Sequence, residues 1–296
     1  MFQSRNLKYM LPCACAQAAA TCALNESRSQ FGEDLLLLPT LLRLSYDRPG
    51  VFVEMGAFDG VTYSNTIMLE KCFRWNGFLI EANPANFATL RRSGRKAAIA
   101  HSAVCDPPGV INMTVAGANV AGDVRTMSEQ HARRWAHKNA IGGVVGVSCQ
   151  PMLQLLSAHQ NGSPLRDDSV DFFSLDVEGA EEAVLRASRM PLFRSVLVEM
   201  DGTDSTKDDR VRKLLQATSL EKRRFNQLSQ SEFFLRKDGI EVPVDSPLPR
   251  LGPIARRYAQ YRRFRPSHSQ LATTLCTVSS PYMQQLCSKQ THIPLS

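Results

Sequence analysis

Several features that mark common functional classes are missing from this chain of 296 residues. It has no stretch of about 20 apolar residues, so an ordinary membrane-spanning helix is excluded. Its eight cysteines form no Cys-x-x-Cys pair, so the spacing of a zinc ribbon is absent and no metal site is predicted. The Walker motif Gly-x-x-x-x-Gly-Lys-Ser/Thr and the fingerprint Gly-x-Gly-x-x-Gly are also absent, which argues against a P-loop NTPase and a nicotinamide dehydrogenase.

Acidic residues are missing from the last part of the chain. From Ser246 to Ser296 there is no Asp or Glu, whereas this segment has six Arg and one Lys. The net charge of the whole chain is +7, so the rest of the chain is neutral overall. We interpret the segment as a solvated basic tail, with contact to an anionic surface as the alternative. Its aromatic residues have helical spacing, so no specific nucleic-acid partner is predicted.

The first 28 residues contain few large aliphatic side chains. Two basic residues precede a run rich in Ala and Cys, which has the character of a weak signal or transit segment. The shortage of Leu, Ile and Val favours a flexible leader instead. For the location of the protein, the cytoplasm is therefore slightly favoured, and the secretory pathway or an organelle is the alternative.

Cysteines and glycosylation sequons give little direction at this stage. Cys72, Cys105 and Cys149 lie within apolar patterns and are expected to be small core residues. The number of Asn-x-Ser/Thr sequons is close to chance for a chain with 11 Asn. They begin at Asn25, Asn112 and Asn161.

Short apolar segments alternate with helical patterns between residues 29 and 240. The buried strands are predicted at 51–55, 77–82, 97–104, 170–179 and 194–201. Strands that are apolar on both faces and alternate with helices predict a doubly wound, mostly parallel α/β sheet. Two strands over 225–239 are predicted to add an antiparallel edge, and the polar insertion 118–143 is predicted to be a lid.

Acidic residues stand where the predicted strands end. In open α/β sheets, ligands bind outside the carboxyl ends of strands, where the strand order reverses. An acidic rim disfavours a polyphosphate and suits a ligand that has hydroxyls and a positive charge. The residues in question are Glu54, Asp59, Glu81, Asp176, Glu178, Glu199 and Asp201.

Two of these positions narrow the ligand further. Glu81 ends the second strand, where dinucleotide-binding folds place a carboxylate on the ribose hydroxyls. Gly56 follows the first strand, where a glycine lets the backbone approach a ligand. S-adenosylmethionine has a ribose diol, an ammonium and a sulfonium but no phosphate, so it fits this pattern. The alternative for each acid is to cap a helix, and we favour this alternative for Glu181, Glu182 and Asp201.

Five stretches resemble the FkbM family of S-adenosylmethionine-dependent methyltransferases. The resemblance covers about residues 29–240 and implies a Rossmann-like, seven-stranded class I methyltransferase fold, between a leader at 1–28 and a basic tail at 241–296. The matching stretches are SQFGEDLLLL, FVEMGAFDGVTYSNTIMLE, WNGFLIEANP, HSAVCDPPG and DFFSLDVEGAEEAVL.

The resemblance also implies roles for individual residues. Asp176 and Glu178 would face the transferred methyl group, and Asp176 is our first candidate for the general base. The implied reaction is O-methylation of a hydroxyl on a sugar, glycan or small metabolite. The residues implied in cofactor binding are Glu54, Gly56, Ala57, Asp59, Gly60, Asn65, Glu81, Ala82, Asn83, Ser102, Ala103 and Asp176.

This chain departs from the family pattern at two places. Met200 follows Glu199 where many members have His, and the segments 118–143 and 240–296 are not matched. His131 and His137, in the first of these segments, are interpreted as exposed loop residues. A non-catalytic binding or trafficking protein on the same fold is the alternative function.

Overall fold

The structure is a computed structural model. It describes residues 13–114, 143–158, 169–187, 189–200, 202, 204–225, 227–237, 263–278 and 280–290. The predicted lid at 118–143, with His131 and His137, lies outside the described residues apart from its last residue. Asn161, Asp201 and residues 241–262 of the predicted tail also lie outside them.

A sheet of seven strands forms the centre of the protein, in the order β3-β2-β1-β8-β10-β12-β11. Every neighbouring pair is parallel except at β12, which is antiparallel to both β10 and β11. The doubly wound, mostly parallel seven-stranded sheet is therefore confirmed, and its antiparallel strand lies second from the edge. The strands are β1 (Val51–Met55), β2 (Asn76–Glu81), β3 (Ala98–His101), β4 (Ala103–Val104), β5 (Gly109–Thr114), β6 (Val144–Gln150), β7 (Ser169–Val170), β8 (Phe172–Leu175), β9 (Leu192–Phe193), β10 (Ser195–Glu199), β11 (Leu220–Arg223) and β12 (Ser231–Arg236).

Helices cover both faces of this sheet because side chains alternate along its strands. Phe52 and Phe172 pack against one group of helices, and Val53 and Phe173 pack against the other. The first group is α1 (Cys13–Glu26), α2 (Glu33–Leu44), α3 (Ile67–Phe73), α4 (Pro84–Leu90), α8 (His268–Cys276) and α9 (Pro281–Gln290). The second group is α5 (Met152–Ala158), α6 (Glu181–Arg186) and α7 (Ser205–Ala217). Among the described residues, no helix is long and apolar enough to span a membrane.

The strand order reverses between β1 and β8. The chain first builds outward from β1 through β2 to β3, and then returns to place β8 on the other side of β1. The connections that leave β1 and β8 therefore run in opposite directions, and their carboxyl ends open a crevice. A candidate site is expected at this place in the fold.

A smaller sheet of β4, β6 and β5 lies next to the end of β3, since β4 follows β3 after one residue. A disulfide links Cys105, directly after β4, to Cys149 of β6, with their Cα atoms 5.4 Å apart. Cys72, Cys105 and Cys149 were expected to be small core residues, but all three form disulfides, since Cys72 is paired with Cys22. Cys72 and Cys149 are buried as predicted, but as disulfides and not as free core thiols.

The N-terminal segment differs from the predicted flexible leader. Helix α1 packs against α3 and α8, and its Ala16, Ala20 and Ala23 are fully buried. Small side chains at this spacing form a narrow stripe that allows close helix packing. Two disulfides, Cys15–Cys287 and Cys22–Cys72, attach the helix to the rest of the chain.

The described end of the basic segment is also part of the core and not a solvated extension. Leu271 and Leu275 of α8 and Met283 and Leu286 of α9 are buried in the same cluster as α1. The domain boundaries predicted after residues 28 and 240 stay predictions.

A buried aspartate ties the amino ends of the central strands together. Asp171 is fully buried directly before β8, and it accepts hydrogen bonds from the amide of Val51 at 2.8 Å and from Arg48 at 2.7 Å. Arg194, directly before β10, donates to the same carboxylate at 3.2 Å. This one side chain therefore connects three neighbouring strands.

Replacing Asp171 by Ala is expected to lower the free energy of unfolding by about 3 kcal/mol, because a buried amide and two arginines lose their charged acceptor. Asp209→Ala is the control, since Asp209 is exposed and pairs with Arg212 on the surface, and it should cost less than about 1 kcal/mol. Urea unfolding of both variants measures this, and equal losses would contradict the role of Asp171.

Candidate active site

A cavity of about 550 Å³ lies at the carboxyl ends of β1, β2, β8 and β10. Its volume is in the range of small-molecule binding pockets. It brings together most of the residues that the sequence predicts to form the site. These are Glu54, Gly56, Ala57, Asn65, Glu81, Ala82, Ser102, Ala103, Asp176 and Glu178.

Three predicted site residues do not line this cavity. Asp59 turns into its own loop, where it accepts hydrogen bonds from the amides of Val61 and Thr62 at 2.8 and 2.7 Å. Asn83 is the N-cap of α4, and its side chain accepts a hydrogen bond from the amide of Ala85. Gly60 has a φ of +79° and lies against Leu90. All three shape loops around the cavity and do not face into it.

The backbone at the end of β8 leaves room only for a glycine at position 56. Its φ is +81°, and a Cβ at this position would lie 1.7 Å from the carbonyl oxygen of Asp176. The sequence predicts that the collision would be with a ligand, but the atom in the way is the backbone at the end of β8. The glycine therefore allows the ends of β1 and β8 to approach each other.

Glu54 organises the loop that follows β1. It is buried, and its carboxylate accepts hydrogen bonds from the Asn65 amide at 2.7 Å, the Ser64 hydroxyl at 2.8 Å and the Thr66 hydroxyl at 2.6 Å. Arg95, which is also buried, lies 3.8 Å from it. Most of the hydrogen-bonding capacity of this carboxylate is used within the protein. Glu54 thus holds residues 64–66 in place at the edge of the cavity.

Asn65 presents an unsatisfied acceptor at the cavity. Its Nδ2 donates a hydrogen bond to the hydroxyl of Ser174 at 3.0 Å, whereas its buried Oδ1 has no partner among the described residues. Buried polar atoms are rarely left unpaired in folded proteins, so an orphan that lines a cavity marks a place for a donor. Helix α3 begins at Ile67, so Asn65 lies in the loop before it and not in the helix.

Glu81 lies at the end of β2 with both carboxylate oxygens anchored. One oxygen accepts from the amide of Asn83 and the other from the amide of Phe58, both at 2.7 Å. The side chain of Asn86 and the amide of Ala82 also donate hydrogen bonds to this carboxylate. Burial raises the pKa of Glu81 to about 7, although the amide hydrogen bonds from Asn83 and Phe58 lower it. Two adjacent acceptors of this kind suit a vicinal diol.

Three carboxyl groups meet at the other end of the cavity. Asp176 and Glu178 follow β8, Glu199 ends β10, and all three line the cavity. Burial raises the pKa of Glu199 well above its usual value, and the negative charges of Asp176 and Glu178 raise it further. Glu199 also shares a hydrogen bond with Asp176. Burial and the neighbouring charges therefore favour the protonated form of Glu199, and Asp176 is its hydrogen-bond partner.

An apolar wall closes the side of the cavity next to the small sheet. Ala103, Val104, Ile111 and Met113 contribute to it. The hydroxyl of Ser102 points to protein atoms instead, with the carbonyl of Ala103 at 2.8 Å. A flat apolar ring suits this wall better than a charged group does.

Several lining residues were not assigned a role from the sequence. Ser174 is the one polar residue within the apolar strand segment FFSL, and this break in the pattern is the signal for it. Glu199 was noted as a strand end but not placed in the site. Gln30, Tyr63 and Gln230 line the mouth from separate loops, and no local pattern reveals them.

The two glutamates in the first turn of α6, Glu181 and Glu182, were expected to cap this helix, but the helix has no side-chain cap. Glu181 is buried and accepts hydrogen bonds from the amides of Val177 and Gly179. Lys207 donates to its other oxygen at 2.8 Å. Glu181 therefore fixes the loop that contains Glu178 and is itself outside the cavity.

Gly56→Ala tests the approach of the two strands. We expect a loss of about 3 kcal/mol in the free energy of unfolding, since the added methyl group meets a backbone carbonyl in addition to the cost of the positive φ. Gly94→Ala is the matched control, because Gly94 has a φ of +74° and open space around its Cβ position, and it should lose only about 1 kcal/mol. Equal losses in denaturant titrations would show that φ alone requires Gly56.

The comparisons with known proteins agree with the family expected from the sequence. The model of the methyltransferase FkbM domain matches residues 54–226. No curated protein shows significant similarity to the chain. Within the part of the chain that the structure describes, no group of three or more His, Cys, Asp or Glu is arranged to hold a metal ion.

Two solved structures are similar to this chain. Precorrin-6y C5,15-methyltransferase from Geobacter metallireducens is 12% identical, with 66% of this chain and 82% of that chain covered and a TM-score of 0.27. A methyltransferase FkbM from Methylobacillus flagellatus is 10% identical, with 74% and 58% covered and a TM-score of 0.34. The family model covers more than half of the 296 residues, and the chain therefore belongs to the FkbM methyltransferase domain family.

Proposed function

We propose that this methyltransferase binds S-adenosylmethionine in the 550 Å³ cavity and methylates a hydroxyl group of a sugar, glycan or small metabolite. The observation that supports this most is the unpaired Oδ1 of Asn65, which lines the same cavity as the anchored carboxylate of Glu81 and the acidic group at β8. These three features match the ammonium, the ribose and the reacting end of such a cofactor.

The residues of the cavity fit the cofactor by their chemistry. Glu81 offers two acceptors to the ribose hydroxyls, and Asn65 offers its orphan acceptor to the ammonium. The wall at Ala103, Ile111 and Met113 provides an apolar surface for adenine. When bound, S-adenosylmethionine supplies a methyl group on a positively charged sulfur.

Asp176 is the residue we propose as the general base. It is exposed to the cavity, and the hydrogen bond from protonated Glu199 fixes its orientation. An alkyl hydroxyl is a weak nucleophile, so a carboxylate placed to take its proton assists the transfer. Glu178, on the same loop, is the second candidate.

The mouth of the cavity suits a neutral, hydroxylated acceptor. Tyr63 is 49% exposed there and presents a ring, and Gln30 and Gln230 present amides. The carboxyl groups of Asp176, Glu178 and Glu199 disfavour an anionic acceptor through charge repulsion. Rings and amides beside carboxylates are the groups with which proteins hold sugars by stacking and hydrogen bonding.

The direct test of this function is transfer of a labelled methyl group to a panel of neutral saccharides and small polyols, with anionic acceptors for comparison. Label that is recovered as a methyl ether on a neutral acceptor supports the proposal. Cofactor binding without transfer to any acceptor would favour the alternative, a binding or trafficking protein on this fold.

Glu81→Gln tests the ribose contact. Because the pKa of Glu81 is about 7, the wild-type affinity for S-adenosylmethionine should rise as the pH is raised from 6 to 8 and the carboxylate ionises. The variant should bind about 10- to 100-fold more weakly at pH 8, which corresponds to about 1.5–3 kcal/mol for hydrogen bonds to a charged acceptor. Its affinity should also lose this pH dependence.

The control for this test is Glu182→Gln. Glu182 itself does not line the cavity and pairs with Arg186 and Arg210, so the variant should keep the wild-type affinity and its pH dependence. Fluorescence binding titrations measure both variants, with far-UV circular dichroism to check the fold. A pH dependence that persists in Glu81→Gln contradicts the assignment.

Asp176→Asn separates base chemistry from binding. We expect kcat to fall by about 10²- to 10⁴-fold, the usual contribution of a positioned base, whereas the Kd of the cofactor changes by less than about threefold. The comparison variant is Glu178→Gln, which should retain most activity. If Asp176→Asn keeps full activity, or if Glu178→Gln shows the larger loss, Asp176 is not the base.

A further inference from the structure

The small sheet of β4, β6 and β5 has two different faces. Ile111 and Met113 point inward and line the cavity, whereas Val110 and Asn112 alternate with them and point away. Val110 is 69% exposed, and Val144 on the paired strand is 61% exposed. The outer face therefore carries apolar side chains in contact with solvent, and nothing among the described residues covers them.

Asn112 lies in the middle of this outer face. It is exposed, and it begins the sequon Asn112-Met113-Thr114. Its partner across the strands is Gly146, which has no side chain. Asn112 thus stands beside a position without a side chain, next to which the Val110 side chain lies: its Cγ1 would be 3.1 Å from a Cβ at Gly146. Val144 belongs to the neighbouring pair on the same face, opposite Thr114.

The disulfides provide an independent observation about the compartment. Three pairs are formed, Cys15–Cys287, Cys22–Cys72 and Cys105–Cys149, and their Cα separations of 5.4–5.8 Å are ordinary for disulfides. Structural disulfides form and persist in oxidising compartments and are rare in the cytosol. Compartments of this kind in eukaryotes are also where Asn-x-Ser/Thr sequons are glycosylated.

We infer that Asn112 is an N-glycosylation site and that the chain folds in an oxidising, glycosylating compartment. This inference replaces the cytoplasm favoured by the sequence, and it is independent of methyl transfer. The attached sugar would lie over Gly146, which has no side chain, and shield Val110 and Val144 from solvent. Because Asn112 points away from the cavity, the glycan leaves the entrance free.

Glycosylation of Asn112 is the transfer of an oligosaccharide from a lipid diphosphate to the side-chain amide. Nδ2 of Asn112 forms a bond to the anomeric carbon of an oligosaccharide on a lipid diphosphate donor, and the bond from that carbon to the diphosphate oxygen breaks. The amide loses one proton, and the lipid diphosphate leaves. Each disulfide forms as two thiols lose two electrons and two protons to an oxidised dithiol oxidoreductase.

The other two sequons are less suitable for testing this inference. Asn25 is exposed near the end of α1, but Ser27 of its sequon is buried and donates a hydrogen bond to Asp34 at 2.8 Å. Asn161 lies outside the described residues. The test is therefore specific to Asn112.

The experiment uses the full chain expressed in insect cells. Digestion with peptide-N-glycosidase in ¹⁸O water converts a glycosylated Asn to labelled Asp, and peptide mass spectrometry should find this conversion at position 112. Thr114→Ala leaves Asn112 in place but removes the sequon, so it should abolish the conversion, whereas Thr114→Ser should retain it. Asn112 that is recovered unmodified in the wild-type chain overturns the inference.

Thiol labelling of the same protein tests the compartment. After denaturation without reductant, a maleimide should leave six of the eight cysteines unlabelled, because these six form the three disulfides Cys15–Cys287, Cys22–Cys72 and Cys105–Cys149. Labelling of all eight would place the chain in a reducing compartment and overturn the inference. The two measurements read different residues, so misfolding of a Thr114 variant does not affect the second one.

Discussion

The close approach of β1 and β8 is the constraint on which the site depends. Gly56 leaves β1 with a positive φ, and only a hydrogen atom separates its Cα from the carbonyl oxygen of Asp176. Because the strand order reverses between these two strands, their loops diverge from this contact and leave the cavity between them. Glu54 then holds the loop after β1, and Glu181 holds the loop after β8.

The two ends of the cavity differ in their electrostatics. Burial raises the pKa of Glu81 to about 7, although the amide donors at both oxygens lower it, so its charge state changes near neutral pH. At the other end, burial raises the pKa of Glu199 well above its usual value, and the negative charges of Asp176 and Glu178 raise it further. The hydrogen bond between Glu199 and Asp176 limits the repulsion among the three carboxyl groups. This arrangement is what a sulfonium cofactor and a neutral acceptor need.

Much of the fold could be predicted because it depends on local sequence patterns. The apolar strands and the acids that end them predicted the sheet, and they predicted that Glu81 and Asp176 line one cavity. Asp59 and Asn83 were misplaced because short polar side chains bond to their own loops, and the sequence does not distinguish such caps from ligand contacts. Glu199 needed the three-dimensional structure, since its partner Asp176 is on another strand. Disulfide pairing likewise depends on contacts between residues that are distant in the chain.

We have proposed that the crevice between β1 and β8 binds S-adenosylmethionine. Isothermal titration calorimetry of the full wild-type chain with this compound measures the affinity directly. We expect one site per chain with a Kd in the micromolar range, and competition by the demethylated product. The absence of binding heat at millimolar ligand, over a range of temperatures, would contradict this proposal.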